Sequence, residues 1–142
     1  MMQENTSRCG AMPASRPVAI FLLAVLLCPP AVVAAEIKGD AAAGKELFMT
    51  NSCPACHGVT REDNMKVGPS LFGVVGRKAG TGQSLLGASE NLKKYGVIWS
   101  AETLDEFLLN PSAKVPGTAM AGVLTDPQQR ADVIAYLATL KE

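Results

Sequence analysis

The run Cys-Pro-Ala-Cys-His at residues 53–57 is the feature that most constrains how this chain can fold. Two cysteines three residues apart, followed at once by a histidine, form the pattern that attaches a c-type haem. The two thiols can form thioethers to two vinyl groups on one porphyrin edge, and the histidine is then placed beneath the iron. The pattern predicts one haem c bound through Cys53 and Cys56, with His57 as an iron ligand.

Two other uses of paired cysteines fit the sequence less well. A thioredoxin-type dithiol belongs in a βαβ context, and no strand-like alternation accompanies this motif. A tetrahedral zinc site needs four ligands. The chain has one histidine and four cysteines, and Cys9 and Cys28 belong to the N-terminal segment 1–35. We therefore expect haem rather than a redox dithiol or zinc.

Helical patterns lie on both sides of the motif, and long irregular stretches separate them. Residues 58–82 are rich in glycine, and residues 112–125 show no helical period, so both are predicted loops. The predicted helices run from the N-cap Asp40 to about Asn51, within Ser84 to Tyr95, from Ser100 to Asn110-Pro111, and from Asp126-Pro127 through a stripe of Val133, Tyr136, Leu137 and Leu140.

These predicted helices and loops contain too few large apolar side chains to fill a core by themselves. Aromatic residues make up only 5% of the chain, and the irregular stretches would bury little surface on their own. The sequence therefore predicts an all-α domain of small helices and long loops, wrapped around one covalently bound haem.

The N-terminal segment has the pattern of an export signal. Arg8 and Arg16 precede an apolar run that ends in two prolines, and small residues up to Ala35 offer a cleavage site. We predict a signal peptide over residues 1–35, cleaved near Ala35, with Met12 as an alternative start, and a mature domain over residues 36–142.

An uncleaved membrane anchor is the alternative for this segment. The 18 residues from Val18 to Ala35 just reach spanning length, although the unbroken apolar run to Cys28 is only 11 residues long. Contact with a membrane is therefore expected to be transient, or to depend on retention of this segment.

Charge and length exclude two classes of protein. The chain has 13 Lys and Arg against 13 Asp and Glu, whereas nucleic-acid binding requires a clustered positive excess. A length of 142 residues fits one domain and argues against a multidomain enzyme.

Iron bound to His57 needs a sixth ligand or keeps an open position. A second histidine is excluded, because the chain has only one. Met49 lies on a predicted helix and suits packing or the surface, whereas Met65 is close enough in sequence to reach round the ring at about 3.3 Å per residue. Met120 follows the turn-rich stretch Val-Pro-Gly-Thr-Ala, which suits presentation from a loop. The pattern favours Met120 and leaves Met65 open.

Taken together, these motifs resemble a class I cytochrome c, the soluble monohaem type of bacteria and mitochondria. The resemblance runs from about Gly39 to Leu140. Gly44 and Phe48 match first-helix positions that pack against the last helix, where Tyr136 matches the partner aromatic residue.

The resemblance implies a role for each candidate site residue. In the family, a proline carbonyl at the position of Pro69 accepts a hydrogen bond from the proximal imidazole. Arg77 and Trp99 match groups near a haem propionate, and Met120 matches the distal ligand. The implied haem-binding residues are Cys53, Cys56, His57, Pro69, Arg77, Trp99 and Met120, and the implied iron ligands are His57 and Met120.

The chain departs from the family pattern in three places. After Met120 it reads Ala-Gly-Val, where many members have an aromatic residue over the haem edge. Leucines replace the tyrosine and hydroxyl residues that often bond the propionates, so that Ser84, Ser89 and Asn91 are the polar residues left there. Small residues stand where strongly basic members have lysines that dock partners; these are Ser112, Ala113 and Ala119.

The resemblance implies a monomeric, periplasmic one-electron carrier with six-coordinate iron, and not an enzyme. Its expected partners are redox proteins: a quinol-oxidising complex or a dehydrogenase as donor, and a terminal oxidase or reductase as acceptor. Two alternatives remain, a haem subunit of one dedicated oxidoreductase complex and a ligand-binding or sensing protein with a labile methionine.

Overall fold

The computed structural model describes residues 38–122 and 124–141, so the predicted signal peptide and its cleavage site near Ala35 lie outside the described residues. Within these ranges the only strand pairing is an isolated bridge between Lys78 and Ile98. The expected all-α class is confirmed. The helices are α1 Ala41–Thr50, α2 Glu90–Tyr95, α3 Ala101–Leu109, α4 Pro111–Lys114 and α5 Pro127–Thr139, with a 3₁₀ turn at Cys53–Ala55.

Capping side chains set where the helices begin, as the sequence predicts. Asp40 and Asp126 each accept hydrogen bonds from the backbone N–H groups two and three residues ahead. Ser100 forms a capping box with Thr103. Each bond satisfies an N–H group that the first turn of a helix leaves unpaired, which fixes the helix start to one residue.

Helix α4 differs from the sequence prediction, which treated residues 112–125 as irregular throughout. Asn110 accepts a hydrogen bond from the Ala113 N–H at 3.0 Å, and Pro111 occupies the first helical position. A single turn is too short to show a hydrophobic period, so only its cap and proline marked it in the sequence.

Helices α1 and α5 cross in close contact and bring the two ends of the described chain together. A Cβ atom at Gly44 would overlap the Asp132 carbonyl group. The Asp132 carboxylate accepts a hydrogen bond of 2.8 Å from the Asp40 N–H. One turn along, the rings of Phe48 and Tyr136 lie 5.5 Å apart. The pairing that the resemblance implied is therefore present.

A second cluster of aromatic side chains lies between α2 and α3. The ring of Trp99 is 5.1 Å from that of Phe107 and 5.9 Å from that of Tyr95. Trp99 and Phe107 are buried, whereas Tyr95 is half-buried. Five of the six aromatic residues in the described ranges thus lie in this cluster or at the crossing of α1 with α5, and the sixth, Phe72, lies beneath the Arg61 guanidinium.

The buried side chain of Arg130 anchors the segment that follows Met120. Its Nε atom donates to Asp105 at 2.7 Å, and its Nη1 atom donates to the carbonyl oxygens of Leu124 and Thr125 at 2.8 and 2.9 Å. These bonds tie the end of the long loop to both α3 and α5.

Across residues 38–122 and 124–141, the helices are all too short or too polar to cross a membrane.

Candidate functional site

The C-P-A-C-H motif forms a tight turn directly after α1. Ser52 adopts a left-handed backbone conformation with φ of 58°, and the N–H groups of Cys56 and His57 both donate to the Cys53 carbonyl oxygen. The two cysteines are not joined to each other. Cys53 is half-buried and Cys56 exposed, and burial raises the pKa of the Cys53 thiol. The turn thus presents one thiol inward and one at the surface.

The imidazole of His57 is held by the loop that lies against the motif. Its Nδ1 atom is 2.8 Å from the carbonyl oxygen of Pro69. A carbonyl oxygen only accepts, so Nδ1 carries the proton and Nε2 keeps its lone pair for a metal. Burial lowers the pKa of the His57 imidazole, although the bond to Pro69 acts in the opposite direction. The neutral ring is the form that can ligate iron.

Gly68 allows this close approach of the loop to the imidazole. A Cβ atom there would lie 2.6 Å from Cε1 and 2.8 Å from Nδ1 of His57. Its N–H also donates to the Cys56 carbonyl oxygen at 2.8 Å. The role of Gly68 was missed from the sequence, where its position directly before Pro69 was the signal that could have identified it.

Arg77 and Trp99, predicted to lie near a propionate, are neighbours in the structure. The Trp99 N–H donates to the Arg77 carbonyl oxygen at 2.9 Å. The guanidinium of Arg77 donates to the carbonyl oxygens of Phe72 and Ser70 at 2.8 and 2.5 Å, while its Nε atom is buried without a partner. Burial lowers the pKa of Arg77. A half-buried cation with a spare donor is suited to a carboxylate.

Ser84 provides a second spare donor, which the sequence alone could not separate from Ser89 and Asn91. Ser89 caps α2 by accepting from the Leu92 N–H, and Asn91 donates to the Pro116 carbonyl oxygen. The side chains of Ser89 and Asn91 therefore already have hydrogen-bond partners within the protein. The Ser84 hydroxyl and Arg77 Nε are the buried side-chain polar atoms without a partner in the described part of the chain.

Met120 differs from the other two methionines of the described chain. Met49 and Met65 are 58% and 69% exposed, whereas Met120 is half-buried and packs against the apolar core. Its N–H donates to the Thr118 hydroxyl at 3.2 Å, and the segment begins at the fully buried Val115. Thr118 and Val115 thus hold the backbone before Met120, and the bonds from Arg130 to Leu124 and Thr125 hold the backbone after it.

These residues fit a covalently bound haem. The motif supplies two thiols that are not in a disulfide and one oriented imidazole. The loop before α5 supplies a thioether, and two buried donors have no hydrogen-bond acceptor. The described residues contain no group of three or more His, Cys, Asp or Glu side chains that could hold a metal ion directly. Two thiols, an oriented imidazole and a thioether suit a porphyrin that is attached through its edge and ligated at its iron.

Comparison with known proteins agrees with this geometry. The sequence profile of cytochrome c matches residues 41–141, which includes every candidate site residue. The chain belongs to the cytochrome c family. Members of the family are electron carriers rather than enzymes, and they bind one haem c covalently through cysteines, so this cytochrome c does the same.

Individual relatives support the assignment along nearly the whole described chain. Cytochrome c2 of Rhodopila globiformis is 45% identical over 104 residues, which are 72% of this chain and 95% of the relative. Cytochrome c of Sesamum indicum is 43% identical over 102 residues, or 70% of this chain and 88% of the relative. The structure is similar to that of cytochrome cH from Methylobacterium extorquens, with a TM-score of 0.61, 44% identity, and coverage of 71% and 99% of the two chains.

Proposed function

We propose that this cytochrome c is an exported, monomeric one-electron carrier of the periplasm, and that His57 and Met120 ligate its iron. The mature domain in this proposal spans residues 36–142, after removal of a signal peptide at residues 1–35. Support for export comes from the arginines, apolar run and small residues of that segment. The observation that carries the ligand assignment is the bond between His57 and the Pro69 carbonyl group.

The two thiols attach the cofactor at different depths. The half-buried Cys53 holds it on the inner side, and the exposed Cys56 leaves the other attachment at the surface. When bound, the haem supplies a one-electron couple between ferric and ferrous iron. Covalent attachment keeps the cofactor in place while an edge near Cys56 remains accessible to a partner.

His57 and Met120, as the ligands that would hold the iron, would set which oxidation state is favoured. Pro69 holds the His57 ring in one orientation and one tautomer, which makes Nε2 the ligating atom. The Met120 thioether favours the ferrous state more than a second imidazole would, so it raises the reduction potential. With two protein ligands, the iron would have no coordination position open for dioxygen or peroxide. The chemistry of the site would then be limited to electron transfer.

The groups near the propionates complete the site. Arg77 and Ser84 each have a buried donor without a partner, and Trp99 is held against the Arg77 backbone. We assign all three to the propionate side of the pocket. The bonds from Arg77 to Phe72 and Ser70 hold its guanidinium in place before any carboxylate arrives.

The partners of this carrier are redox proteins. The proposed donor is a quinol-oxidising complex or a dehydrogenase, and the proposed acceptor is a terminal oxidase or reductase. The quinol-oxidising complex is a membrane complex in such a scheme, and contact of the carrier with the membrane is transient unless residues 1–35 are retained.

A spectroscopic comparison of two methionine variants tests the ligand assignment. The ferric holoprotein should show a far-red charge-transfer band from a thioether on iron. Met120→Ala should lose this band and should bind carbon monoxide once reduced. Met65→Ala is the matched control, since Met65 is 69% exposed, and it should keep the band. Loss of the band in Met65→Ala, or rapid carbon monoxide binding by the unaltered protein, would overturn the assignment.

Processing and haem content are tested on the exported protein itself. The intact mass should equal that of residues 36–142 plus one haem, and N-terminal sequencing should begin at Glu36. A pyridine haemochrome spectrum should show a haem with both vinyl groups saturated. A mass that retains residues 18–35 would favour the anchored alternative.

A further inference from the structure

The loop that holds His57 lies along the attachment turn in one fixed register. Three hydrogen bonds join the two segments, and each links residues twelve positions apart in the chain; they join Lys66 to Pro54, Gly68 to Cys56, and His57 to Pro69, at 2.6, 2.8 and 2.8 Å. The second bond involves the glycine that lets the loop approach the imidazole, and the third holds the imidazole itself. Lys66 therefore forms the first bond of a series that ends on the proposed proximal ligand.

The bond from Lys66 differs from the other two because a charged side chain makes it. Residues 50–60 contain no Asp, Glu, Lys or Arg, so the turn has no such charge of its own. Lys66 brings a positive charge to the turn at hydrogen-bond distance. Its side chain is only 30% exposed, and the Leu85 N–H donates to its carbonyl oxygen at 2.7 Å. The ammonium is therefore held in place rather than free in solvent.

Asp63 provides the opposite charge next to the turn. Its carboxylate lies 3.3 Å from the Lys66 ammonium. Asp63 also packs against the residue that follows His57, because a Cβ atom at Gly58 would lie 2.9 Å from the Asp63 carboxyl carbon and would overlap the Asp63 carbonyl oxygen. The ion pair thus meets the motif through both of its charges, with Lys66 at Pro54 and Asp63 beside Gly58.

The charge of Lys66 acts on the imidazole across this short separation. Burial is the main cause that lowers the pKa of His57, the bond to Pro69 opposes it, and the Lys66 ammonium lowers that pKa further. A positive charge that disfavours a protonated ring also disfavours the additional charge of ferric iron bound to that ring. Lys66 therefore favours the ferrous state, and the carboxylate of Asp63 favours the ferric state.

We propose that Lys66 is a positioning residue of the haem site and has two effects. It holds the Pro54 carbonyl group, which keeps the attachment turn in register with the loop that orients His57. Its charge also raises the reduction potential, against the opposing carboxylate of Asp63. This inference rests on the proposed function, in which His57 ligates a one-electron centre.

A solvated surface lysine would have neither effect, and the chain offers a matched example. Lys93 lies 2.7 Å from Glu90, which precedes it by three residues just as Asp63 precedes Lys66. The side chains of Lys93 and Glu90 are 51% and 75% exposed, and they lie on α2 rather than on the loop that holds His57. Glu90 and Lys93 therefore provide a control ion pair in the same protein.

Reduction potentials of holoprotein variants test this assignment. They are measured by spectroelectrochemistry at ionic strengths of about 10 mM and about 500 mM, which differ strongly in how far they screen exposed charges. Lys66→Met removes the charge and keeps an apolar stem, Lys66→Arg restores a cation, and Asp63→Asn removes the opposing charge. Lys93→Met and Glu90→Gln are the matched controls. Asp63→Asn leaves the ammonium in place, so it tests the sign of the effect even if Lys66→Met yields little holoprotein.

The two members of the pair should shift the potential in opposite directions. Lys66→Met should change the ratio of ferric to ferrous protein at a fixed potential about two- to fivefold towards the ferric form, which is about 20–40 mV for one electron. Asp63→Asn should shift it towards the ferrous form, and Lys66→Arg should recover most of the loss. These shifts should persist at high ionic strength because the pair is partly buried, whereas the controls should shift less than about a third as far and lose that shift.

Electron paramagnetic resonance of the same variants tests the position of the imidazole. Lys66→Met should alter the low-spin ferric spectrum, Lys66→Arg should restore it, and Lys93→Met should leave it unchanged. Equal potential shifts in Lys66→Met and Lys93→Met would overturn this inference alone. So would an unchanged potential and spectrum in Lys66→Met with only a lower unfolding free energy, since that result would show a purely structural role. An unaltered protein without a reversible one-electron couple would overturn the proposed carrier, on which the inference rests.

Discussion

The Nδ1 atom of His57 lies 2.8 Å from the carbonyl oxygen of Pro69, twelve residues further along the chain. This bond joins the attachment turn to a loop without helix or strand, so the loop fixes the tautomer and direction of the proximal ligand. Gly68 makes the contact possible because it carries no Cβ atom between the loop and the ring.

Gly68→Ala should displace the His57 ring or push the loop away from it. Either shift weakens the bond to Pro69, so we expect a loss of about 1–3 kcal/mol in unfolding free energy and a changed low-spin ferric spectrum. Electron paramagnetic resonance and denaturant unfolding measure the two effects. Gly122→Ala is the control, because a Cβ atom there meets nothing within 4 Å. An unchanged spectrum in Gly68→Ala would contradict this role.

Cys53→Ala and Cys56→Ala should each leave one thioether, and the double variant should lack covalent haem altogether. Since the cofactor fills space that the chain does not, we expect the double variant to show a poorly folded far-UV circular dichroism spectrum. The pyridine haemochrome band of each single variant should shift towards that of a haem with one free vinyl group. A normally folded double variant would mean that the chain packs its core without haem.

Gly44→Ala tests the crossing of α1 with α5. Alanine gains about 1 kcal/mol in helix propensity over glycine, yet its Cβ atom would overlap the Asp132 carbonyl group. We expect a net loss of about 1–3 kcal/mol, measured by denaturant unfolding of the holoprotein. Lys45→Ala, at the next and exposed position of the same helix, should be close to neutral. A stabilised Gly44→Ala protein would show that the helices can move apart freely.

Arg130→Leu should weaken both the fold and the distal ligand. The buried guanidinium holds the carbonyl groups of Leu124 and Thr125, which lose their donors in the variant. We expect a loss of about 2–4 kcal/mol and a far-red band that disappears at a lower denaturant concentration. Asp105→Asn should cost less than about 1 kcal/mol, because the Asp105 side chain is 41% exposed.

Arg77→Gln should lower the reduction potential. Ferric iron carries one more positive charge than ferrous iron, so removal of a nearby cation stabilises the ferric state. We expect a decrease of about 30–70 mV, measured by spectroelectrochemistry. Ser84→Ala, which removes a neutral donor, should give a smaller shift. Lys45→Gln is the distant control, and an equal shift in that variant would show that the effect is not local.

Features that depend on neighbouring residues, such as helix caps and the attachment motif, could be predicted from the sequence. Contacts between distant residues could not. Caps at Asp40, Ser100 and Asp126 depend on bonds two or three residues away, so their residue types were sufficient. The attachment motif is equally local. The single turn of α4 was missed because four residues show no period.

Contacts that join distant residues could not be derived from patterns. The role of Gly68 depends on the position of a ring eleven residues earlier in the chain, and that of Ser84 depends on what Ser89 and Asn91 already bond. The buried Arg130 carried no signal that distinguishes it from a solvated arginine. In each case the deciding quantity is a packing distance, which a single sequence does not contain.

The crossing of α1 with α5 also has a consequence for the order of events during biogenesis. Asp40 and Asp132 are 92 residues apart, and all the proposed haem-binding residues lie between them. Because Asp132 is synthesised after every proposed haem-binding residue, this contact cannot form until all of those residues have been made. The crossing of α1 with α5 is therefore the step of folding that encloses a site whose residues are all already present.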